Sequence, residues 1–234
     1  NKVLKSDIIT RGNIVSKFEK KLSKFTGSRF GVTFNSASSA LTGACFAIGL
    51  KKNDIVWTVP NSFVASASAA RHFSSKIDFV DINRIDKNIS VIELEKKLLK
   101  AKKNKTLPRI LITVHFGGQP PDQAKIYNLS KEYKFFIIED ASHSLGGFNH
   151  KEKVGSCKWS DIVVTSFHPV KTITTGEGGI ALSNNKTFID RLKIYRNNGI
   201  TRDFKSFKRK NRDHFYYEQQ FLGHNYHMPD INPP

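Results

Sequence analysis

Short apolar runs alternate with helical patterns along most of the chain, and this rhythm constrains the fold more than any other feature. The runs "RFGVTF" (29–34), "DIVWTV" (54–59), "KIDFVDI" (76–82), "RILITVHF" (109–116), "KFFIIED" (134–140), "DIVVTSF" (161–167) and "GGIALSN" (178–184) have strand length and strand composition. Between them lie segments with helical spacing. Ile14, Phe18, Leu22 and Phe25 form the first; residues 38–50, 62–73, 91–103, 121–133 and 186–199 follow, the last closed by Gly199. Strand–helix alternation at this spacing predicts βαβ units: an α/β fold with a mostly parallel sheet flanked by helices. "ILITV" and "FFII" show no polar alternation, which suits strands covered on both faces. There is no internal repeat. Residues 1–200 are expected to form one large domain. From residue 201 the pattern turns polar and aromatic, and 201–234 read as an extended tail too poor in apolar periodicity to make a domain.

Bulk properties narrow the function less. The 234 residues carry a net charge of +18, with 38% hydrophobic and 25% charged residues. A basic chain suits a polyanion, an anionic small substrate, or a lysine-rich surface with no message. The lysines are dispersed, as in Lys20–Lys21, Lys51–Lys52 and Lys96–Lys97, which favours solvated faces over a nucleic-acid stripe. Cys45 and Cys157 lie far apart and form no metal spacing, so a reducing cytoplasm is expected. No apolar stretch approaches the ~18 residues of a membrane span. The chain does not begin with Met and reads as part of a longer protein.

Ligands of open parallel sheets sit at the carboxyl ends of the strands, and three polar clusters fall there. "NSASSA" (35–40) opens a helix, where free N–H groups and the helix dipole favour an anion. The same residues also serve as a plain N-cap, through Ser36 or Ser38. "IIEDASHS" (137–144) puts Asp140 at the end of a buried strand. A buried carboxylate needs a partner, either a cationic ring nitrogen or the turn that follows it. His143 stands three residues on, placed to orient Asp140, to touch a ligand, or to satisfy a local hydrogen bond. "SFHPVK" puts Lys171 at the mouth of a strand, where a desolvated amine forms a Schiff base. Taken alone, Lys171 reads as a surface lysine. Taken together, an acid, a lysine and an anion-binding helix end are the set that pyridoxal phosphate requires.

"SFHPVKTITTGEGG", "IIEDASHSLGG", "FNSASSAL", "VPNSFVASA" and "VHFGGQPPD" resemble the DegT/DnrJ family of sugar aminotransferases, from "ITRGNIVSKFE" to "GHNYHMPDIN". The resemblance implies the large domain of the aspartate-aminotransferase (fold type I) fold and pyridoxal 5'-phosphate as cofactor. It also implies that the family's small C-terminal domain lies beyond this chain. It assigns Lys171 as the Schiff-base lysine and Asp140 as partner of the pyridinium nitrogen. His143 is placed near the cofactor's 3-oxygen edge, and Phe63 on the ring face. Ser38, Ser39 and Ser166 fall in the phosphate cup. Asn225 reaches the phosphate of a neighbouring subunit, which implies a homodimer with shared sites. Related dehydratases carry histidine at the lysine position, so Lys171 favours transamination. "VHFGGQP" and "HPVKTITTGEGG" stand nearest the pseudaminic-acid branch, whose members use glutamate to aminate C4 of a UDP-linked 4-keto-6-deoxy-N-acetylhexosamine. Two positions depart from the family pattern: His227, where arginine is common, and Asn198, where histidine is common.

Overall fold

The computed structural model describes residues 3–209 and 213–233. Residues 1 and 2 of the expected large domain, and 210–212 and 234 of the expected tail, lie outside them. Helix α1 (Asn13–Thr26) leads into strand β1 (Phe30–Phe34), helix α2 (Ala37–Ile48) and strand β2 (Ile55–Thr58). Next come α3 (Ala65–Arg71), β3 (Lys76–Phe79), α4 (Val91–Asn104), β4 (Ile110–Val114), α5 (Gln123–Tyr133) and β5 (Phe136–Asp140). A small hairpin of β6 (Phe148–Asn149) and β7 (Glu152–Lys153) precedes β8 (Ile162–Ser166), β9 (Gly179–Ser183) and α6 (Lys186–Tyr195). The strand β10 (Ile200–Thr201), at the junction with the tail, pairs with β11 (Glu218–Gln219) inside it.

Seven strands form one sheet in the order β1-β9-β8-β5-β4-β2-β3. All run parallel except β9, which is antiparallel to both its neighbours. The expected mostly parallel sheet is therefore present, with one reversed strand. Side chains alternate between two cores. Val56, Ile110, Ile112, Ile138 and Val164 pack against α2, α3 and α6 on one face. Trp57, Leu111 and Ile137 meet α4 and α5 on the other, where Val163, Ile180 and Leu182 meet α1. Each fully buried Ile or Leu here contributes about 1.5–3 kcal/mol relative to exposure. Burial on both faces explains why the strands read as unbroken apolar runs.

Helix ends differ from the sequence reading where the backbone has a local reason. The segment expected to be helical to Gly199 stops at Tyr195, because Asn198 and Gly199 take positive φ of 57° and 71° and turn the chain back. The 62–73 segment is helical only over Ala65–Arg71, leaving Asn61–Phe63 in an open loop.

The tail is fastened to the body. Met228 is buried beside Phe167 and Phe18 in the core against α1, and the Tyr226 carbonyl accepts from Asn35 N. Helix α1 lacks a side-chain cap at Gly12. Asp230, 1% exposed, supplies it from the far end of the chain. Its carboxylate accepts from Gly12 N at 2.6 Å and Val15 N at 2.9 Å. His227 Nε2 donates to Asn197 Oδ1 at 3.0 Å. Burial, with the charges of Arg196 and Arg11, pushes the His227 pKa down from 6.5 to about 4, and Glu19 acts the other way.

Two outcomes follow for stability. Asp230→Ala should cost about 2 kcal/mol through the lost cap, seen as a lower denaturant midpoint at unchanged m-value. Because His227 is harder to protonate when folded, the unfolded chain takes the proton first as pH falls. Its contribution is intact above pH 6.5 and is lost progressively down to about pH 4. Thermal melts across that window should show a shallower decline in His227→Asn than in the parent.

Candidate active site

The parallel strands β1, β2, β4, β5 and β8 end at one edge of the sheet, where β9 begins. A cleft of about 920 Å³ opens there, lined by the segments that follow each of those strands. A shallower hollow at Ser160, Asp161 and Asn184–Lys186 lies at the opposite edge, away from these groups.

Helix α2 aims its N-terminus into the cleft. Ser36 caps it by accepting from Ser39 N at 3.1 Å, and the Ser39 hydroxyl lies 3.2 Å from Ser36 N to complete a capping box. The backbone N–H groups of Ala37 and Ser38 have no protein acceptor among the described residues, and neither has the Ser38 hydroxyl. Gly179 lets the helix sit this close to β9. A Cβ on Gly179 would stand 2.5 Å from Ala37 N.

Asp140 ends β5, the middle strand of the sheet, and is 6% exposed. Its Oδ2 accepts from Ser66 Oγ on α3 at 2.6 Å, and its Oδ1 from Ser142 Oγ at 2.6 Å. An ionised carboxylate has about four acceptor positions, so capacity remains for a donor in the cleft. Lys171 lies across the cleft in the loop between β8 and β9. Phe167 closes the base of that loop: its N–H reaches Gly178 O, and its carbonyl accepts from Thr175 N and Thr174 Oγ1. Lys171 N in turn reaches His168 O at 2.9 Å. The Lys171 ammonium donates to His143 Nε2 at 2.7 Å. Burial first, then the Lys171 charge, pushes the His143 pKa below 6.5, against the pull of Asp140. His143 is thus a neutral acceptor at neutral pH.

The cleft brings together most of the residues singled out from sequence: Ser38, Phe63, Asp140, His143, Ser166 and Lys171. Phe63 stands 73% exposed at the mouth. Ser166 ends β8, and its hydroxyl accepts from His168 N at 3.3 Å. Ser39 sits beneath the helix end, its hydroxyl turned to Asn35 Oδ1 at 2.6 Å. Asn225 is exposed and outside the cleft lining, bridged to Asn197. Asn198 takes the αL turn before Gly199, and His227 binds Asn197; neither lines the cleft. Sequence reading missed Ser66 and Ser142, which hold the Asp140 carboxylate, and His115 behind it. "ASASAAR" (65–71) carried the signal for Ser66, in a serine on a helix face otherwise built of alanine.

The profile of the DegT/DnrJ/EryC1/StrS aminotransferase family matches residues 1–233. The chain belongs to that family. A UDP-4-amino-4,6-dideoxy-N-acetyl-beta-L-altrosamine transaminase of Campylobacter jejuni is 40% identical over 230 residues, covering 98% of this chain and 57% of the relative. A GDP-perosamine synthase of Escherichia coli O157:H7 is 31% identical, covering 96% of this chain and 56% of the relative. Among solved structures, Helicobacter pylori PseC, an aminotransferase of pseudoaminic acid biosynthesis, superposes with a TM-score of 0.86 at 29% identity. It covers 99% of this chain and 58% of its own. The fold is thus the large-domain architecture of fold type I aminotransferases, and the chain spans a little over half the length of these relatives.

Substituting Gly179 tests the helix placement. Gly179→Ala drives a methyl into backbone that cannot swing aside, and should cost about 1–3 kcal/mol. A thermal melt matching the parent's would show that α2 does not abut β9.

Proposed function

We propose that the protein of which this chain is part is a pyridoxal-phosphate aminotransferase that moves an amino group from glutamate to C4 of a UDP-linked 4-keto-6-deoxy-N-acetylhexosamine. The observation that carries the reading is one cleft holding three groups: the Lys171 amine set against His143, a buried carboxylate on Asp140, and a helix end whose N–H donors at Ala37 and Ser38 are unpaired among the described residues. These residues fit the cofactor's aldehyde, ring nitrogen and phosphate respectively. When bound, pyridoxal phosphate would supply an electron sink for the pair left when a C–H bond at the reacting carbon breaks.

Each residue then has a task. Lys171 would hold the cofactor's aldehyde through its amine and would be the group that takes and returns the proton at the substrate carbon. His143 accepts from the Lys171 ammonium and holds the amine over the cleft. Asp140, fixed by Ser66 and Ser142, keeps the ring nitrogen protonated. The N–H groups of Ala37 and Ser38, with the hydroxyls of Ser38 and Ser166, take the phosphate. Phe63 covers the ring face. Asn225, exposed and outside its own protomer's cleft, is placed to serve the site of a second subunit in a homodimer. Residues 1–200 act as the cofactor domain, and 201–234 lead toward the remaining length that the relatives have. No helix among the described residues is long and apolar enough to cross a membrane. Cys45 and Cys157 are free thiols, which supports a reducing cytoplasm, and the dispersed lysines favour no nucleic-acid partner. The sugar assignment rests on the 40% identity to the Campylobacter transaminase against 31% to the GDP-sugar enzyme.

The test is amine transfer by the full-length protein. With pyridoxal phosphate and glutamate, the UDP-4-keto sugar should gain an amine by mass spectrometry faster than its GDP-linked counterpart. Lys171→Ala should lose about 10²–10⁴-fold in turnover. Transfer at the parent rate in Lys171→Ala would overturn the reading, and preference for the GDP-linked sugar would overturn the substrate assignment.

A further inference from the structure

One buried polar line, running inward from His115 in the cleft wall, takes no part in the chemistry above. His115, which follows β4, is 1% exposed; Ser144 is 3% and Glu139 6% exposed. His115 Nδ1 stands 3.0 Å from Ser144 Oγ. Its Nε2 stands 2.9 Å from Glu139 Oε2, with the N–H off the direct line to that oxygen. With Nε2 facing the carboxylate and taken as the N–H, Nδ1 accepts from the Ser144 hydroxyl. Serine, histidine and acid in line have the makeup of a hydrolytic triad. Here the serine is buried and faces the ring, so no substrate reaches it.

The line ends one residue from His143. Ser144 belongs to the turn that follows β5, which also carries Ser142 against Asp140 and His143 against Lys171. The segment after β4 meets the same turn a second time. Gly118 has a φ of 92°, and a Cβ on it would stand 2.9 Å from the His143 carbonyl oxygen. The turn is thus held by a side chain at Ser144 and by close backbone contact at His143. An apolar filler would serve stability as well as a buried polar line does; what a directional link adds is position. The 2.7 Å contact between Lys171 and His143 would be lost on a shift of about 1 Å.

We propose that Glu139, His115 and Ser144 are positioning residues that hold the turn after β5 and thereby set His143 against Lys171. The proposal rests on the assignment of Lys171 as the reacting amine, and its test does not need the cofactor. The full-length protein, freed of any bound aldehyde and labelled with ¹³C-histidine, is titrated by NMR. The charges facing His143 are Lys171 from the loop before β9 and Asp140 from β5. In Ser144→Ala and His115→Gln the His143 midpoint should rise toward 6.5, as the ring gains water and leaves Lys171. In Asp230→Ala, destabilised at a remote end, it should not move. An unmoved midpoint in both variants, or an equal rise in Asp230→Ala, overturns the proposal. A protein that shows the rise yet transfers no amine would count against the function and leave the brace standing.

Discussion

A carboxylate buried at the end of the central strand governs the rest of the structure. Asp140, at 6% exposure, needs hydrogen-bond donors around its carboxylate. Ser66 reaches it from α3 and Ser142 from its own turn. Those two contacts fix how α3 docks and how the chain leaves β5. The exit from β5 places His143, and His143 meets Lys171 from the other side of the cleft. One electrostatic need thus organises three connections at the same edge of the sheet.

The opposite wall depends on steric room. Helix α2 is built from small residues, and Gly43 lets Phe34 lie directly beneath it: a Cβ there would stand 2.9 Å from Phe34 Cζ. Gly179 does the same for the first turn against β9. The helix end is thereby held by packing while two of its N–H groups have no partner among the described residues, which is the condition for taking an anion. Its C-terminus is closed by Arg109 to the Ile48 carbonyl and Arg191 to the Phe46 carbonyl. Positive charge at that end complements the helix dipole, and the open end is left for a ligand.

Much of this was legible in the residues. Unbroken apolar runs marked the buried strands, and the polar groups just after them marked Asp140, His143 and Lys171. What was hidden depends on partners far away in sequence. The reversal of β9 leaves no local sign, because a strand buried on both faces reads alike in either direction. Ser39 looked like a ligand for an anion, yet its hydroxyl is turned to Asn35 within the capping box. Asp230 caps a helix 218 residues upstream, a pairing no periodicity reveals. His115 and Glu139 meet only because β4 and β5 pair in register, with Thr113 opposite Glu139.

The most direct measurement of the central claim is covalent. Full-length protein incubated with pyridoxal phosphate, reduced with borohydride and digested should carry the cofactor on the peptide containing Lys171. A cofactor found on another lysine, or on none, would contradict the account.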